Sequence, residues 1–142
     1  MKLKPIGIIH SPYKDKKDAP RQGRLSDKLA VIEVFDEYVP GLKYVEKLAN
    51  LFVLYWGDRA DRTVLQSTTP FSSEETGVFS SRSPNRPNPI ALCVVDLISV
   101  EGNKLTVRGL DALDGSPLLD IKAYSSLDCI PNAMPRKAKN DN

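Results

Sequence analysis

The feature that most restricts the fold of this chain is a succession of short apolar segments separated by turn signals. Seven such segments occur along the 142 residues, at 4–10, 30–35, 51–56, 77–79, 90–101, 104–108 and 118–123. They are rich in β-branched and aromatic residues, as strands are. A chain of this length can bury one core but not two independent ones. We therefore expect a single, mainly β domain, built as an antiparallel barrel or sandwich.

One stretch departs from the strand pattern. Apolar residues recur at helical spacing after the Pro40-Gly41 turn, which predicts one short amphipathic helix over residues 42–50. The segment that follows, 51–56, is apolar on both faces, as expected of a strand in the interior of a barrel or sandwich. Residues 57–76 are polar and are expected to form a loop.

Charge is distributed unevenly along the chain. Residues 1–28 hold eight Lys or Arg against three Asp, whereas the net charge of the whole chain is only +2. A basic N-terminal arm that includes Lys14, Lys16 and Lys17 suits a polyanion such as RNA. The alternative is a lysine-rich loop that is merely solvated.

Several classes of protein are not expected from this sequence. Its apolar runs are much shorter than the about twenty residues of a transmembrane helix, and no apolar region follows the N-terminal lysines as it would in a secretory signal. We therefore expect a cytoplasmic location without membrane contact. One His and two Cys without CxxC spacing make a metal site unexpected. Cys93 lies in an apolar run and is expected to be a buried, inert thiol rather than a nucleophile.

The most informative motif is the proline-dense segment 80–90. Three prolines within six positions restrict the backbone and remove donors, so the loop is stiff before any ligand arrives. Arg82 and Arg86 stand on this support, and a guanidinium can hold a carboxylate or phosphate through two parallel hydrogen bonds. The alternative is a proline-rich surface loop whose arginines are solvated.

A second motif places three carboxylates around a tight turn, at Asp111, Asp114 and Asp120. Carboxylate oxygens accept hydrogen bonds from ribose hydroxyls or from an ammonium group. The Asp114-Gly115 pair also serves turn geometry alone, so Asp114 has a structural alternative. Asp111 is therefore the better candidate for a ligand contact.

Two shorter motifs complete the set, at residues 19–23 in the basic arm and at residues 55–59 after the buried strand. Strand ends line the mouth of a barrel, where ligands bind. Tyr55 and Trp56 are expected in the core rather than as a platform for stacking bases. Asp58 and Arg59 either face a ligand or pair with each other.

Taken together, residues 6–14, 20–22, 77–90 and 110–122 closely resemble the TsaA-like domain of the TrmO family, and the resemblance extends over about residues 3–125. It implies a small antiparallel β-barrel with one short helix over residues 1–127, followed by a polar tail over 128–142. It also implies a short form without the C-terminal domain of longer relatives. The implied activity is that of a dimeric tRNA methyltransferase, which uses S-adenosylmethionine to methylate N6 of threonylcarbamoyladenosine beside the anticodon.

The resemblance also implies a set of site residues. The family's cofactor contacts carry over by position to Pro20, Arg21, Gln22, Arg82, Leu92, Asp111, Ala112, Leu113 and Asp114. Asp58 and Arg59 are expected beside them, at the place where many relatives have a His-Gln pair. Either Asp58 or Asp111 is expected to take the substrate proton, without a metal, while Arg21, Arg86 and the lysine arm are expected to reach RNA phosphates.

Two other functions remain open at this point. One is a barrel that binds RNA or S-adenosylmethionine without catalysis, which the Asp58-Arg59 departure would explain. The other is a methyltransferase that acts on a different acceptor.

Overall fold

The computed structural model describes residues 1–69 and 72–133 and contains eight strands. They are β1 Gly7–His10, β2 Leu29–Val34, β3 Asn50–Trp56, β4 Gln66–Thr69, β5 Ser72–Gly77, β6 Ile90–Glu101, β7 Lys104–Arg108 and β8 Pro117–Ala123. Six of them form a closed barrel in the order β1-β2-β7-β6-β3-β8, and β4 and β5 form a separate two-stranded sheet. All the barrel pairings are antiparallel. The predicted mainly β, antiparallel barrel is confirmed, and the sandwich is not formed.

Strand β1 closes the barrel because it pairs with β2 on one side and β8 on the other. Gly7 lies opposite Val34 in one pairing and opposite Leu118 in the other. A Cβ at Gly7 would lie 2.2 Å from the carbonyl oxygen of Glu33, so no larger residue fits between these strands without a shift of the backbone. Closure pairs the edges that an open sheet would expose.

Strand β6 has two partners along its length. Its first half, from Ile90 to Asp96, pairs with β3, and its second half pairs with β7. The register with β7 shifts between Leu97 and Ser99, and an irregularity of this kind bends a strand and increases its twist. The bend allows β6 to pair with β3 along its first half and with β7 along its second half.

The core fills the interior of the barrel with residues from alternate positions of the strands. In β2 the inward residues are Ala30, Ile32 and Val34, and in β3 they begin with Leu51 and Val53. The buried apolar residues of the other barrel strands are Ile9, Cys93, Val95, Leu105, Val107 and Leu118. Removal of a side chain of this size from water stabilises a fold by roughly 1.5 to 3 kcal/mol. Burial of every second side chain along the strands therefore stabilises the paired strands of the barrel.

The helical region differs in detail from the expectation for residues 42–50. It consists of two 3-10 helices, Asp36–Leu42 and Val45–Lys47, and β3 already begins at Asn50. Tyr44 between them has a φ of 71°, a left-handed conformation that interrupts a right-handed helix. The apolar spacing in the sequence arises because Val45 and Leu48 both pack against the barrel core.

The interval between β3 and β6 also differs from the expectation. Residues 57–76, predicted as a loop, contain β4 and most of β5, and the predicted strand 77–79 is largely a 3-10 helix, Val78–Ser80, in which Val78 is buried. Strands β4 and β5 are polar, so they lack the apolar alternation by which strands are recognised. The predicted tail 128–142 lies outside the described residues from position 134 onward. Within the described ranges, no helix has both the length and the apolar character needed to cross a bilayer.

Candidate functional site

A single cleft of about 580 Å³ gathers residues from all four sequence motifs. Its walls come from the N-terminal arm, the end of β3 with the loop after it, the proline-dense loop, the start of β6 and the turn after β7. Nine predicted site residues line it: Pro20, Arg21, Gln22, Asp58, Arg59, Arg82, Leu92, Asp111 and Leu113. The fold therefore brings together stretches that are far apart in the sequence.

Ala112 and Asp114 are not among the residues that line the cleft. Ala112 is fully buried, and its carbonyl accepts a hydrogen bond of 2.7 Å from the Ser11 hydroxyl. The Asp114 carboxylate accepts hydrogen bonds from Lys14 Nζ at 2.6 Å and from the Ser11 backbone N–H at 2.9 Å. These two donors, Lys14 first, hold the pKa of Asp114 below its usual range. Both residues thus hold the turn in place, and their direct contact with a cofactor stays a prediction.

The N-terminal arm reaches the cleft because Gly23 allows a very close backbone approach. A Cβ at Gly23 would lie 1.8 Å from the carbonyl oxygen of Gly109, which itself has a φ of 99°. The 3-10 helix Gly23–Leu25 therefore packs directly on the turn that carries Asp111. On the far side of this contact, Arg24 donates a hydrogen bond of 2.9 Å to Asp96 of β6. Residues 20–22 are thereby held as a wall of the cleft.

Arg86 stabilises the proline-dense loop from within. Its guanidinium donates hydrogen bonds to the carbonyls of Ser83 at 2.8 Å, of Ser81 at 2.6 Å and of Val78. These three bonds use the donors on two of its nitrogens. Its Nε and Nη2 are thus engaged by loop carbonyls while the residue still lines the cleft, and contact of Arg86 with an RNA phosphate stays a prediction.

The loop after β3 anchors the proline-dense loop from outside. Arg62 lies over the Trp56 ring at 5.1 Å and donates hydrogen bonds to the carbonyl of Pro87 at 2.7 Å and to the Asn88 side chain at 3.2 Å. The Asn85 side chain accepts a hydrogen bond of 2.9 Å from the backbone N–H of Asp61. The asparagines of the motif are therefore structural, which the sequence did not reveal.

Arg82 differs from the other arginine of the motif. Its side chain is exposed and lines the cleft, and it makes no hydrogen bond or ion pair with another residue of the described ranges. Its positive charge nevertheless acts inside the site, because it lowers the pKa of Cys93. This partly offsets burial and the Asp111 carboxylate, which both raise that pKa. Arg82 thus presents its guanidinium to a ligand carboxylate or phosphate.

Asp111 lies at the base of the cleft with two donors on one of its oxygens. The Tyr55 hydroxyl donates a hydrogen bond of 2.7 Å to Asp111 Oδ1, and the Cys93 thiol donates one of 2.9 Å to the same atom. Burial raises the pKa of both Tyr55 and Cys93, and the neighbouring Asp111 carboxylate raises each further. Both groups are therefore protonated donors at neutral pH.

The sequence placed Tyr55 in the core and predicted a buried thiol at Cys93. Cys93 is indeed only 6% exposed, and Tyr55 packs against the core, but both also line the cleft. The sequence did hold a sign of this position, because alternate residues of a strand lie on the same face and Tyr55 shares its face of β3 with Leu51 and Val53. An inward-facing polar side chain at a strand end needs a partner, and Asp111 is that partner.

Asp58 and Arg59 both pair with each other and line the cleft. Arg59 Nε lies 3.5 Å from Asp58 Oδ1, and Arg59 Nη2 donates a hydrogen bond of 2.7 Å to the carbonyl of Asp114. The two alternatives that the sequence left open are therefore compatible. Arg59 holds the turn, while Asp58 presents a half-exposed carboxylate at the edge of the cleft.

The cleft combines several kinds of ligand contact. Arg82 offers a cation, Asp58 and Asp111 offer acceptors, and Leu92 and Leu113 offer apolar surface. Such a site suits a small molecule that carries a carboxylate, hydroxyl or ammonium groups and an aromatic ring. Across residues 1–69 and 72–133, no group of three or more His, Cys, Asp or Glu side chains is arranged to hold a metal ion.

Comparison with known proteins places these features in a family. The family model of the tRNA-methyltransferase O N-terminal domain matches residues 8–129. The chain is 56% identical over 131 residues to the S-adenosyl-L-methionine-binding protein of Archaeoglobus fulgidus, covering 92% of this chain and 94% of that protein.

Solved structures agree with this match. A crystal structure of TrmO superposes with a TM-score of 0.80 at 32% identity, covering 95% of this chain and 62% of the solved one. TrmO from Pseudomonas aeruginosa gives a TM-score of 0.77 at 30% identity, covering 94% of this chain and 60% of its own. The chain therefore spans about three fifths of the length of these solved proteins. On these matches, the chain belongs to the tRNA-methyltransferase O N-terminal domain family, a family of S-adenosylmethionine-dependent methyltransferases.

Proposed function

We propose that this chain binds S-adenosylmethionine in the cleft and transfers the methyl group to N6 of threonylcarbamoyladenosine in tRNA. The observation that carries the proposal is that Arg82 and Asp111 line the same cleft, together with residues 20–22. All of these positions are family cofactor contacts by the sequence resemblance. The name of the Archaeoglobus fulgidus relative supports the ligand, and the family description supports tRNA as the substrate. The modified adenosine as acceptor rests on the sequence resemblance.

The residues of the cleft fit the proposed ligand in size and in chemistry. A volume of about 580 Å³ falls in the range of small-molecule sites, which is roughly 300 to 1,000 Å³. Arg82 would hold the methionine carboxylate, and Asp111 would accept from the ammonium group or a ribose hydroxyl. Leu92 and Leu113 would pack against the adenine ring.

When bound, S-adenosylmethionine supplies an electrophilic methyl group, which N6 takes in one displacement while the electron pair of the broken C–S bond stays on sulfur. The chain's own residues hold the two reactants in line, and positioning of this kind supplies much of the acceleration. The carbamoyl group makes the N6 proton acidic, so a modest base suffices. Asp58 is the better candidate for that base, because the carboxylate of Asp111 is already engaged by Tyr55 and Cys93.

The basic arm is the proposed contact for tRNA. Lys16 lines the cleft, and Lys17 follows it in the 3-10 helix Lys16–Asp18. A cationic edge beside the cofactor cleft would guide a phosphate backbone toward the site. We also expect a homodimer, as the family resemblance implies, and a cytoplasmic location, as the sequence predicts.

The proposal is tested in two steps. Calorimetry should show binding of S-adenosylmethionine that is competed by S-adenosylhomocysteine and weakened in Arg82→Ala. Arg108→Ala is the matched control, because Arg108 lies outside this cleft. Mass spectrometry of tRNA nucleosides should then show N6-methylated threonylcarbamoyladenosine after incubation with cofactor.

Each failure has a distinct meaning. An absence of calorimetric binding would overturn the cofactor assignment. Binding without any methylated product would leave a non-catalytic S-adenosylmethionine-binding barrel, which the name of the Archaeoglobus fulgidus relative favours as the second candidate. Methylation of another acceptor in place of the modified adenosine would refute the tRNA assignment alone.

A further inference from the structure

We propose that Tyr55 and Cys93 are positioning residues that hold the Asp111 carboxylate through Oδ1 and leave Oδ2 to accept from the ligand. This inference rests on the proposed function for the identity of that ligand. It assigns Asp111 to cofactor binding instead of proton transfer, and it gives the buried thiol and phenol a role.

The arrangement is set by the barrel. Tyr55 lies on β3 and Cys93 on β6, which are paired, and the register places Val53 opposite Cys93 and Tyr55 opposite Ala91. The two side chains are therefore diagonal neighbours on one face. Asp111 comes from the turn after β7, so three separate elements meet at one oxygen atom.

Both contacts point to the same atom of Asp111. The distances to Oδ1 are 2.7 Å from the Tyr55 hydroxyl and 2.9 Å from the Cys93 sulfur, whereas Oδ2 makes no hydrogen bond with any residue in the described parts of the chain. Two donors fixed on rigid strands restrict the rotation of the carboxylate, and a preoriented acceptor binds a ligand more tightly than a mobile one.

The protonation state of the donors supports the arrangement. Burial raises the pKa of the Tyr55 phenol and of the Cys93 thiol, and the Asp111 carboxylate raises both further. The charged groups that act on Cys93 are Asp111 and, in the opposite direction, Arg82. Neither donor loses its proton near neutral pH, so the carboxylate keeps both hydrogen bonds.

The first experiment needs no cofactor. The rate of alkylation of Cys93 by iodoacetamide is measured against pH in Cys129→Ser, which leaves Cys93 as the one thiol of the 142-residue chain. Asp111→Asn in that background removes the charge that raises the thiol pKa. The rate at a fixed alkaline pH should then rise by about threefold or more, the factor that half a pKa unit gives. An unchanged rate would overturn the contact between Cys93 and Asp111.

The second experiment measures S-adenosylmethionine affinity by calorimetry. Tyr55→Phe and Cys93→Ala should each weaken binding by about five- to tenfold, the size expected for one missing hydrogen bond to a carboxylate. Cys93→Ser should restore most of the affinity, because it keeps a donor. Tyr124→Phe is the matched control, since Tyr124 lies beyond β8 near the opposite end of β3.

A double-mutant cycle separates positioning from a general structural role. In the Asp111→Asn background, Tyr55→Phe should have little further effect on affinity if Tyr55 acts through Asp111. Independent, additive effects would overturn the inference, as would full affinity in both single variants. If the unaltered chain binds no S-adenosylmethionine, the proposed function fails, and the thiol titration still decides whether Asp111 is held by Cys93.

Discussion

Substitution of Gly23 by alanine tests how the N-terminal arm is held against the cleft. The added Cβ would lie 1.8 Å from the carbonyl oxygen of Gly109 and 2.7 Å from its carbon. Comfortable contacts between such atoms are about 3.5 Å, so the arm would have to move by roughly 1.7 Å. The three nearest atoms all belong to the backbone of Gly109 and Leu110, so no flexible side chain can move aside.

The expected cost of Gly23→Ala is about 2 kcal/mol, as for other substitutions that overfill a packed contact. For a chain of this size, that cost lowers the melting temperature by about 7 °C. Displacement of residues 20–22 should also weaken S-adenosylmethionine binding, since they form a wall of the cleft. Thermal denaturation and calorimetry measure the two effects.

Gly41→Ala is the matched control. Gly41 has no atoms within 4 Å of the position of an added Cβ, and its φ is not positive. The melting temperature of the Gly41→Ala variant should change little or rise slightly, because alanine lowers the conformational entropy of the unfolded chain. If Gly23→Ala matched Gly41→Ala in both melting temperature and affinity, the packing of the arm on Gly109 would be refuted.

Three further substitutions test other contacts. Hydrogen bonding to Arg24 lowers the pKa of Asp96, so this carboxylate stabilises the fold above the ordinary Asp pKa and loses that contribution as pH falls. Asp96→Asn should therefore be less stable near pH 7, and thermal denaturation should show that this deficit shrinks as pH falls below the ordinary pKa of Asp. A pH-independent deficit would contradict this linkage. Lys16→Ala or Lys17→Ala should weaken tRNA binding. The slope of the logarithm of the binding constant against the logarithm of the salt concentration should fall by about 0.7 to 0.9 for each phosphate that the arm no longer neutralises. An unaltered slope would show that the arm does not contact the tRNA. Arg62→Ala should destabilise the chain by about 1 to 2 kcal/mol in urea denaturation, because it removes a cation–π interaction and two hydrogen bonds. An unchanged midpoint would show that Arg62 does not anchor the proline-dense loop.

The strands of the barrel were predictable where burial alternates along the chain. The predicted segments 90–101 and 104–108 coincide with β6 and β7, and 51–56 misses only the first residue of β3. Strands β4 and β5 were missed because they are polar. The helix over 42–50 was only approximate, since a left-handed residue at Tyr44 divides it and no pattern of apolar residues announces that conformation.

The candidate site shows a similar division. Arg82 and Asp111 were predicted from motif resemblance, and both line the cleft. Tyr55 and Cys93 were missed as polar partners, because their contact with Asp111 depends on the register between β3 and β6. That register follows from long-range pairing, which a single sequence does not display.

By itself, the sequence determined the two-residue burial period, the stiffness of the proline-dense loop and the residue types available for binding. These properties depend on near neighbours along the chain, so they can be read locally. Only the tertiary structure decided that Arg86 donates hydrogen bonds to carbonyls of its own loop, whereas Arg82, which lines the same cleft, has no such partner among the described residues. The physical reason is that closure of the barrel sets the distances between remote segments, and hydrogen bonds form or fail over a few tenths of an ångström.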